Sequence, residues 1–248
     1  MFKCVFSPRS KIWWHTVLIL ACCISVSETN AQTKVLVFSK TNGFRHASID
    51  DGKKMFEKLE KENNWKLTFS EDSLLFNHKS LRNFDVLVFL STTGNIFGET
   101  QKKALQKYIH KGGGFVGIHA ATDTEMEWQW YVDMVGAAFK SHPKQQTATI
   151  NILNRSFKPM QHFGATWQHF DEWYNFRAPV NPNCIVLATV DESSYQGGTM
   201  GAHHPVTWYQ HFEGGKIFTT ALGHTSACYT DADFVKMIKE AVVWAGGR

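Results

Sequence analysis

Twelve histidines in a chain of 248 residues are the first feature that invites chemistry. Imidazole changes protonation close to neutral pH and, when neutral, ligates metals. His119 stands in Gly117-Ile118-His119-Ala120-Ala121, directly after an apolar run. Other enzymes aim a Ser or Cys nucleophile from such a strand-to-helix turn; with His there instead, a covalent acyl intermediate has no support. His142 precedes Pro143 and His224 follows Gly223, so each lies beside a residue that constrains or redirects the backbone. His203 and His204 are adjacent ahead of a strand-like run; they point to opposite faces, and at most one serves a site. His15, His78, His110, His162, His169 and His211 lack such context and read as surface or packing residues.

Asp171-Glu172-Trp173-Tyr174-Asn175-Phe176-Arg177 mixes carboxylates with aromatic rings. A sugar offers apolar C–H faces to stack on Trp or Tyr and hydroxyls to pair with carboxylates and Arg, so this segment suits a carbohydrate cleft. The residues alone leave plainer readings open. His119 could be a packed core histidine, Arg45-His46 a solvated loop pair, and Ser91-Thr92-Thr93-Gly94 the cap of the next helix. The Asp171–Arg177 segment could be an aromatic corner of the core.

The elements that must position these residues are legible. Lys34–Phe38, Asp85–Leu90 and Gly114–Ile118 are short apolar runs, as expected of strands covered on both faces. Trp65–Phe69 alternates as a further strand. Helices are expected after Ser48, through Met55, Phe56 and Leu59, and again through Ala104, Leu105, Tyr108 and Ile109, the latter stopping at Gly112-Gly113-Gly114. This strand–helix rhythm specifies a parallel sheet with helices on both faces. Ligands in such folds bind beyond the carboxyl ends of the strands, which gathers Arg45, His46, Thr92, Thr93, His119 and Asp123 around one cleft. In the second half Thr147–Leu153, Ile185–Val190, Val206–Phe212 and Lys216–Ala221 are strand-like, the last two joined by a three-residue loop, Glu213-Gly214-Gly215. A final helix begins near Asp231.

Residues 1–31 read as an export signal: Lys3, Arg9 and Lys11 precede the apolar Val17–Ile24, and Thr29-Asn30-Ala31 offers a cleavage site. Export places the protein in the periplasm or medium; lipidation at Cys22 is the alternative. Cleavage leaves Cys184 and Cys228, either one disulfide or two buried thiols. With 26 Lys and Arg against 22 Asp and Glu, bulk charge gives no reason to expect nucleic acid as a partner. No Gly-x-Gly-x-x-Gly follows the first strand, and the P-loop and Cys-x-x-Cys are absent, which removes dinucleotide, NTPase and dithiol readings.

Seven ordered segments carry a resemblance. They are Lys34–Phe38 leading to Gly43-Phe44-Arg45-His46, Gly112–Asp123, Phe139-Lys140-Ser141-His142-Pro143, Asp171-Glu172-Trp173-Tyr174, Gly197–Gly201, His204–Trp208 and Leu222-Gly223-His224-Thr225. Over residues 34–247 the chain resembles the trehalose-utilisation (ThuA-like) family. The resemblance implies a flavodoxin-like, class I glutamine-amidotransferase-like α/β fold: three layers around a parallel central sheet, with additional antiparallel strands in the second half. It also implies a part in disaccharide or glycoside catabolism, linked to 3-keto sugars made by a partner sugar 3-dehydrogenase. His203 departs from the acidic residue expected there, leaving His204 as the matching position.

The expectation is hydrolysis or elimination on a 3-keto glycoside or disaccharide. His119, His142, His204 and Glu172 are the candidate acids and bases, and Arg45, His46, Thr92, Thr93, Asp123, Trp173 and His224 the candidate sugar-binding residues. Two alternatives stand beside it: a non-catalytic sugar-binding module, and a metal-dependent hydrolase or isomerase. No His-x-His, His-x-x-x-His or His-Glu-x-x-His occurs, so ligands for a divalent metal would have to meet through the fold. No other cofactor is implied.

Overall fold

The computed structural model describes residues 1–4 and 32–247, so the expected leader and its Cys22 alternative lie outside the described residues. Contacts divide the chain into Met1–Asn30 and Ala31–Arg248, and the second unit holds every element described below. In chain order these are β1 (Thr33–Phe38), α1 (Ile49–Glu62), β2 (Trp65–Ser70), α2 (His78–Leu81), β3 (Val86–Leu90), α3 (Glu99–His110), β4 (Gly114–Ile118) and α4 (Gln129–Val135). There follow β5 (Phe139–Ser141), β6 (Gln146–Ile152), β7 (Thr166–Asp171), β8 (Asn175–Phe176), β9 (Ile185–Val190), β10 (Pro205–Phe212), β11 (Gly215–Thr220) and α5 (Ala232–Gly246). No helix among the described residues is long and apolar enough to cross a membrane.

Nine strands form one sheet in the order β2-β1-β3-β4-β11-β10-β9-β6-β7, while β5 and β8 pair separately. The first five run parallel, and the order 2-1-3-4 is that of flavodoxin-like doubly wound folds. The apolar runs divide by the two-residue period of a strand. Val35, Val37, Val88 and Ile118 face one layer of the core with α1 and α5, whereas Leu36, Phe38, Phe89 and Phe115 face the other with α3 and α4. The Asp231 carboxylate caps α5 by accepting from the N–H groups of Asp233 and Phe234.

From β11 the sheet continues through four antiparallel pairings, to β10, β9, β6 and β7. Four reversals restore the original direction, so β7 delivers its carboxyl end to the same edge as β1, β3, β4 and β11. That parity places Glu172 with the parallel-strand loops.

Three details differ from expectation. The β10–β11 connection is a two-residue turn, because Gly215 already pairs with Phe212. Glu213 and Gly214 both have positive φ, the twist that suits a right-handed hairpin. Ser48 occupies the N-cap of α1, but its hydroxyl makes no capping bond and donates to the Gly223 carbonyl. Strand β7 was not foreseen, since its burial inverts the usual pattern: His169 and Asp171 point inward while Phe170 is exposed.

Candidate active site

Four side chains from four strand ends meet at the carboxyl edge of the sheet. His119 follows β4 and opens a tight 3-10 turn with φ of +53°. A non-glycine residue holds that left-handed conformation only where its surroundings over-determine it. The ring is fully buried. Its Nδ1 lies 2.8 Å from the Ala221 carbonyl and donates to it, which leaves Nε2 as a lone pair. That atom lies 3.2 Å from His46 Nε2, 3.1 Å from His224 Nδ1 and 3.7 Å from Glu172 Oε2. Glu172 Oε2 is also 3.1 Å from His224 Nδ1, and its Oε1 is 3.0 Å from His142 Nδ1. Tyr174 packs its ring on His119 at 4.4 Å between centroids.

The electrostatics keep the inner imidazoles neutral. Burial, reinforced by the neighbouring histidines, lowers His46 to about 3. Burial likewise lowers His119 to about 4, against the opposing pull of Asp171 and the Ala221 carbonyl. At neutral pH both rings offer lone pairs, the state required of a base or a metal ligand. No described residue hydrogen-bonds the buried Nδ1 of His46.

Asp171 holds one side of the cluster in place. It is fully buried and accepts from the backbone N–H groups of Gly223, His224 and Glu172, at 2.7, 3.0 and 2.9 Å. Burial alone would push its carboxyl up; the His169 hydrogen bond, the neighbouring imidazoles and the Gly223 N–H hold it below the ordinary carboxylate range. Gly223 is required there: its φ is +116°, and a Cβ would stand 2.9 Å from Ile118 Cγ2.

The remaining candidates take varied places. His142 is half exposed, with Nδ1 shared between Glu172 and the Pro143 carbonyl and Nε2 left unengaged by either. Asp123 ends the turn that starts at His119, and burial raises its carboxyl to about 6 although Arg177 opposes the shift. His204 lies outside the cluster, fully buried, bonded to Glu192, Tyr195 and the Tyr174 carbonyl. Trp173 is fully buried and donates its indole N–H to the Gln146 carbonyl, so it offers no face to a sugar. Thr93 braces the loop carrying His46 through Gly43 N–H and the Phe44 carbonyl, and Thr92 bonds Thr124. Arg45 turns outward to a bidentate pair with Glu71.

Asp171 is not among the candidates the sequence offers, its signal being its place beside Glu172, and His169, expected at the surface or in packing, is buried 3.6 Å from Asp171 Oδ2. Cys184 and Cys228 are free thiols, and Cys228 lies buried 3.4 Å from both His169 Nε2 and Asp171 Oδ2. Among the described residues two sets of donor atoms lie close enough to hold a cation: His46, His119, Glu172 and His224, and the trio His169, Asp171 and Cys228. A cavity of about 560 Å³ opens at the opposite edge of the sheet, lined by Arg82, Lys107, Lys111 and Lys216 among others; no member of the histidine cluster lines it.

The fold and the site define a flavodoxin-like α/β protein with a cluster of histidines and a carboxylate at the carboxyl edge of its parallel strands. The chain is a member of the Trehalose utilisation (ThuA) family, whose profile matches residues 34–245. Among solved structures, a ThuA-like protein from Bacteroides uniformis superposes with a TM-score of 0.75 at 21% identity, over 86% of this chain and 91% of that one. A ThuA-like protein from Parabacteroides merdae gives 0.73 at 18% identity, over 86% and 90%. A β-galactosidase from Bacillus circulans gives 0.55 at 12% identity, over 86% of this chain and 31% of the enzyme. At these identities the likeness is one of fold. No curated protein matches.

Proposed function

We propose that the protein is an exported enzyme of carbohydrate catabolism that cleaves a 3-keto glycoside or disaccharide, by elimination in the first instance. The observation that carries this reading is the convergence of neutral imidazoles and a carboxylate on the carboxyl edge of the sheet, with a half-exposed histidine at its margin. A ketone at C3 acidifies the proton on C2. A base removes that proton, its electron pair forms the C1=C2 bond, and the C1 substituent departs with a proton from an acid.

His142 suits the base. Its Nδ1–H is oriented by Glu172 and Pro143, and its Nε2 lone pair is open to a substrate. Asp123, held at about 6, retains a proton to donate under mildly acidic conditions. A partner sugar 3-dehydrogenase would supply the ketone.

The test is to incubate the mature protein with matched 3-keto and ordinary glycosides and to identify the products. Release of the C1 substituent from the keto series alone is expected. His142→Ala should lower that turnover by roughly 100-fold or more with the melting temperature unchanged. Binding without turnover across the panel would make the protein a sugar-recognition module instead.

A further inference from the structure

We infer that His46, His119, His224 and Glu172 form a binding site for one divalent transition-metal ion. The geometry is the first reason. Bonds of 2.0–2.1 Å to nitrogen and oxygen arranged tetrahedrally separate neighbouring donors by about 3.3–3.4 Å. The donor separations available here are 3.1, 3.1, 3.2 and 3.7 Å, and all four atoms lie within 4.8 Å of one another.

Chemistry supplies the second reason. The proton of His119 is fixed on Nδ1 by the Ala221 carbonyl, so the lone pair of Nε2 points into the cluster. A carbonyl behind an imidazole is the usual support of a ligating histidine. Glu172 directs Oε2 inward while Oε1 engages His142, which orients the carboxylate in the same way. Three imidazoles with one carboxylate favour zinc, manganese, iron or nickel over the oxygen-seeking calcium and magnesium.

Rigidity is the third. The ligands come from the ends of four strands of one sheet, and three of the four are buried. The trio at Cys228 is the weaker cage, because both Asp171 oxygens already accept backbone N–H groups, Oδ2 from Gly223 and Oδ1 from His224 and Glu172. On the sugar reading above, an ion at this point that expanded to a fifth position would take the C3 carbonyl oxygen and polarise it, making the C2 proton easier to remove.

The experiment uses full-length protein without an affinity tag, stripped with chelator and titrated calorimetrically with zinc, manganese and cobalt chlorides. One ion per chain is expected. Glu172→Gln and His224→Ala, with folding checked by circular dichroism, should each weaken uptake by about 100-fold or more, and Cys228→Ala should leave it unchanged. Should a variant fail to fold, X-ray absorption of the zinc-loaded wild type decides. Three imidazole nitrogens and one oxygen near 2.0–2.1 Å support the site, whereas a sulfur near 2.3 Å places the ion on Cys228 and overturns it. No uptake by the stripped wild type overturns it as well. Metal uptake with an inert glycoside panel would refute the sugar reading alone, so the two failures are distinguishable.

Discussion

At the scale of single residues, histidines of similar sequence context do different work. His119 and His204 are both fully buried, yet His119 points a lone pair into a cluster of donors while His204 bonds Glu192, Tyr195 and the Tyr174 carbonyl. His204→Ala should therefore cost stability, by about 2–4 kcal/mol, because it leaves a carboxylate and a carbonyl without their partner and opens a cavity. Chemical denaturation measures that loss. The turnover of the folded fraction should stay within a few fold of wild type, and a 100-fold loss in folded His204→Ala would return that residue to the chemistry. Asp123 makes a pH-dependent case. Its carboxyl, raised by burial to about 6, favours the folded state while protonated. That contribution is complete below the ordinary value near 3.9 and is lost as the pH rises through 6. Asp123→Asn should thus leave the melting temperature alone at pH 4 and raise it at pH 8. The gain should be about 1–2 kcal/mol after allowance for partial exposure, or roughly 3–6 °C for a domain of this size. Equal effects at both pH values would show that the shift is not electrostatic.

At the scale of elements, the site depends on how closely helices approach the sheet. Gly52 in α1 lies against the end of β3: a Cβ there would stand 2.8 and 2.9 Å from the two Leu90 methyl groups and 3.0 Å from the Tyr229 ring. Leu90 cannot withdraw both methyls at once, because it is fully buried between α1 and the sheet. Gly52→Ala gains about 1 kcal/mol of helix propensity, but overpacking costs about 1–3 kcal/mol. A lower melting temperature is expected, with a shift of the loop carrying His46, which a change in its NMR signals would report. A more stable variant would mean that α1 can move away freely. The outer strands matter as much. Four antiparallel steps bring β7 round to the parallel direction, and an odd number of them would bring Glu172 out at the opposite edge.

At the scale of the whole molecule, the chemistry sits at one edge of the sheet and a cavity rich in Lys and Arg at the other. We propose catalysis at the first because titratable groups there converge within hydrogen-bond distance. We also propose export, on the charge and apolar pattern ahead of β1, which begins at Thr33. Mass spectrometry of the protein recovered from outside the cytoplasm should find a mature chain starting near Gln32, or a lipidated Cys22 in the alternative. An intact Met1 in a cytoplasmic fraction would refute both.

Composition and periodicity by themselves determined the parallel half of the sheet and its flanking helices. The apolar runs at β1, β3 and β4 are long enough to need cover on both faces, and the polar segments behind them can only emerge at one edge. Hence His46 and His119 were legible as neighbours, although nothing local says that their Nε2 atoms stand 3.2 Å apart. Strand β7 was hidden, because its inward positions are a histidine and an aspartate serving the site and hydrophobic alternation is lost there. The sorting of the candidates was likewise tertiary. Trp173 and His204 went to the interior, Arg45 to Glu71, and Asp171 behind the cluster, since each outcome depends on partners far away in sequence. Strand direction follows from local pattern; the meeting of four donors from four strand ends is a property of the closed fold alone.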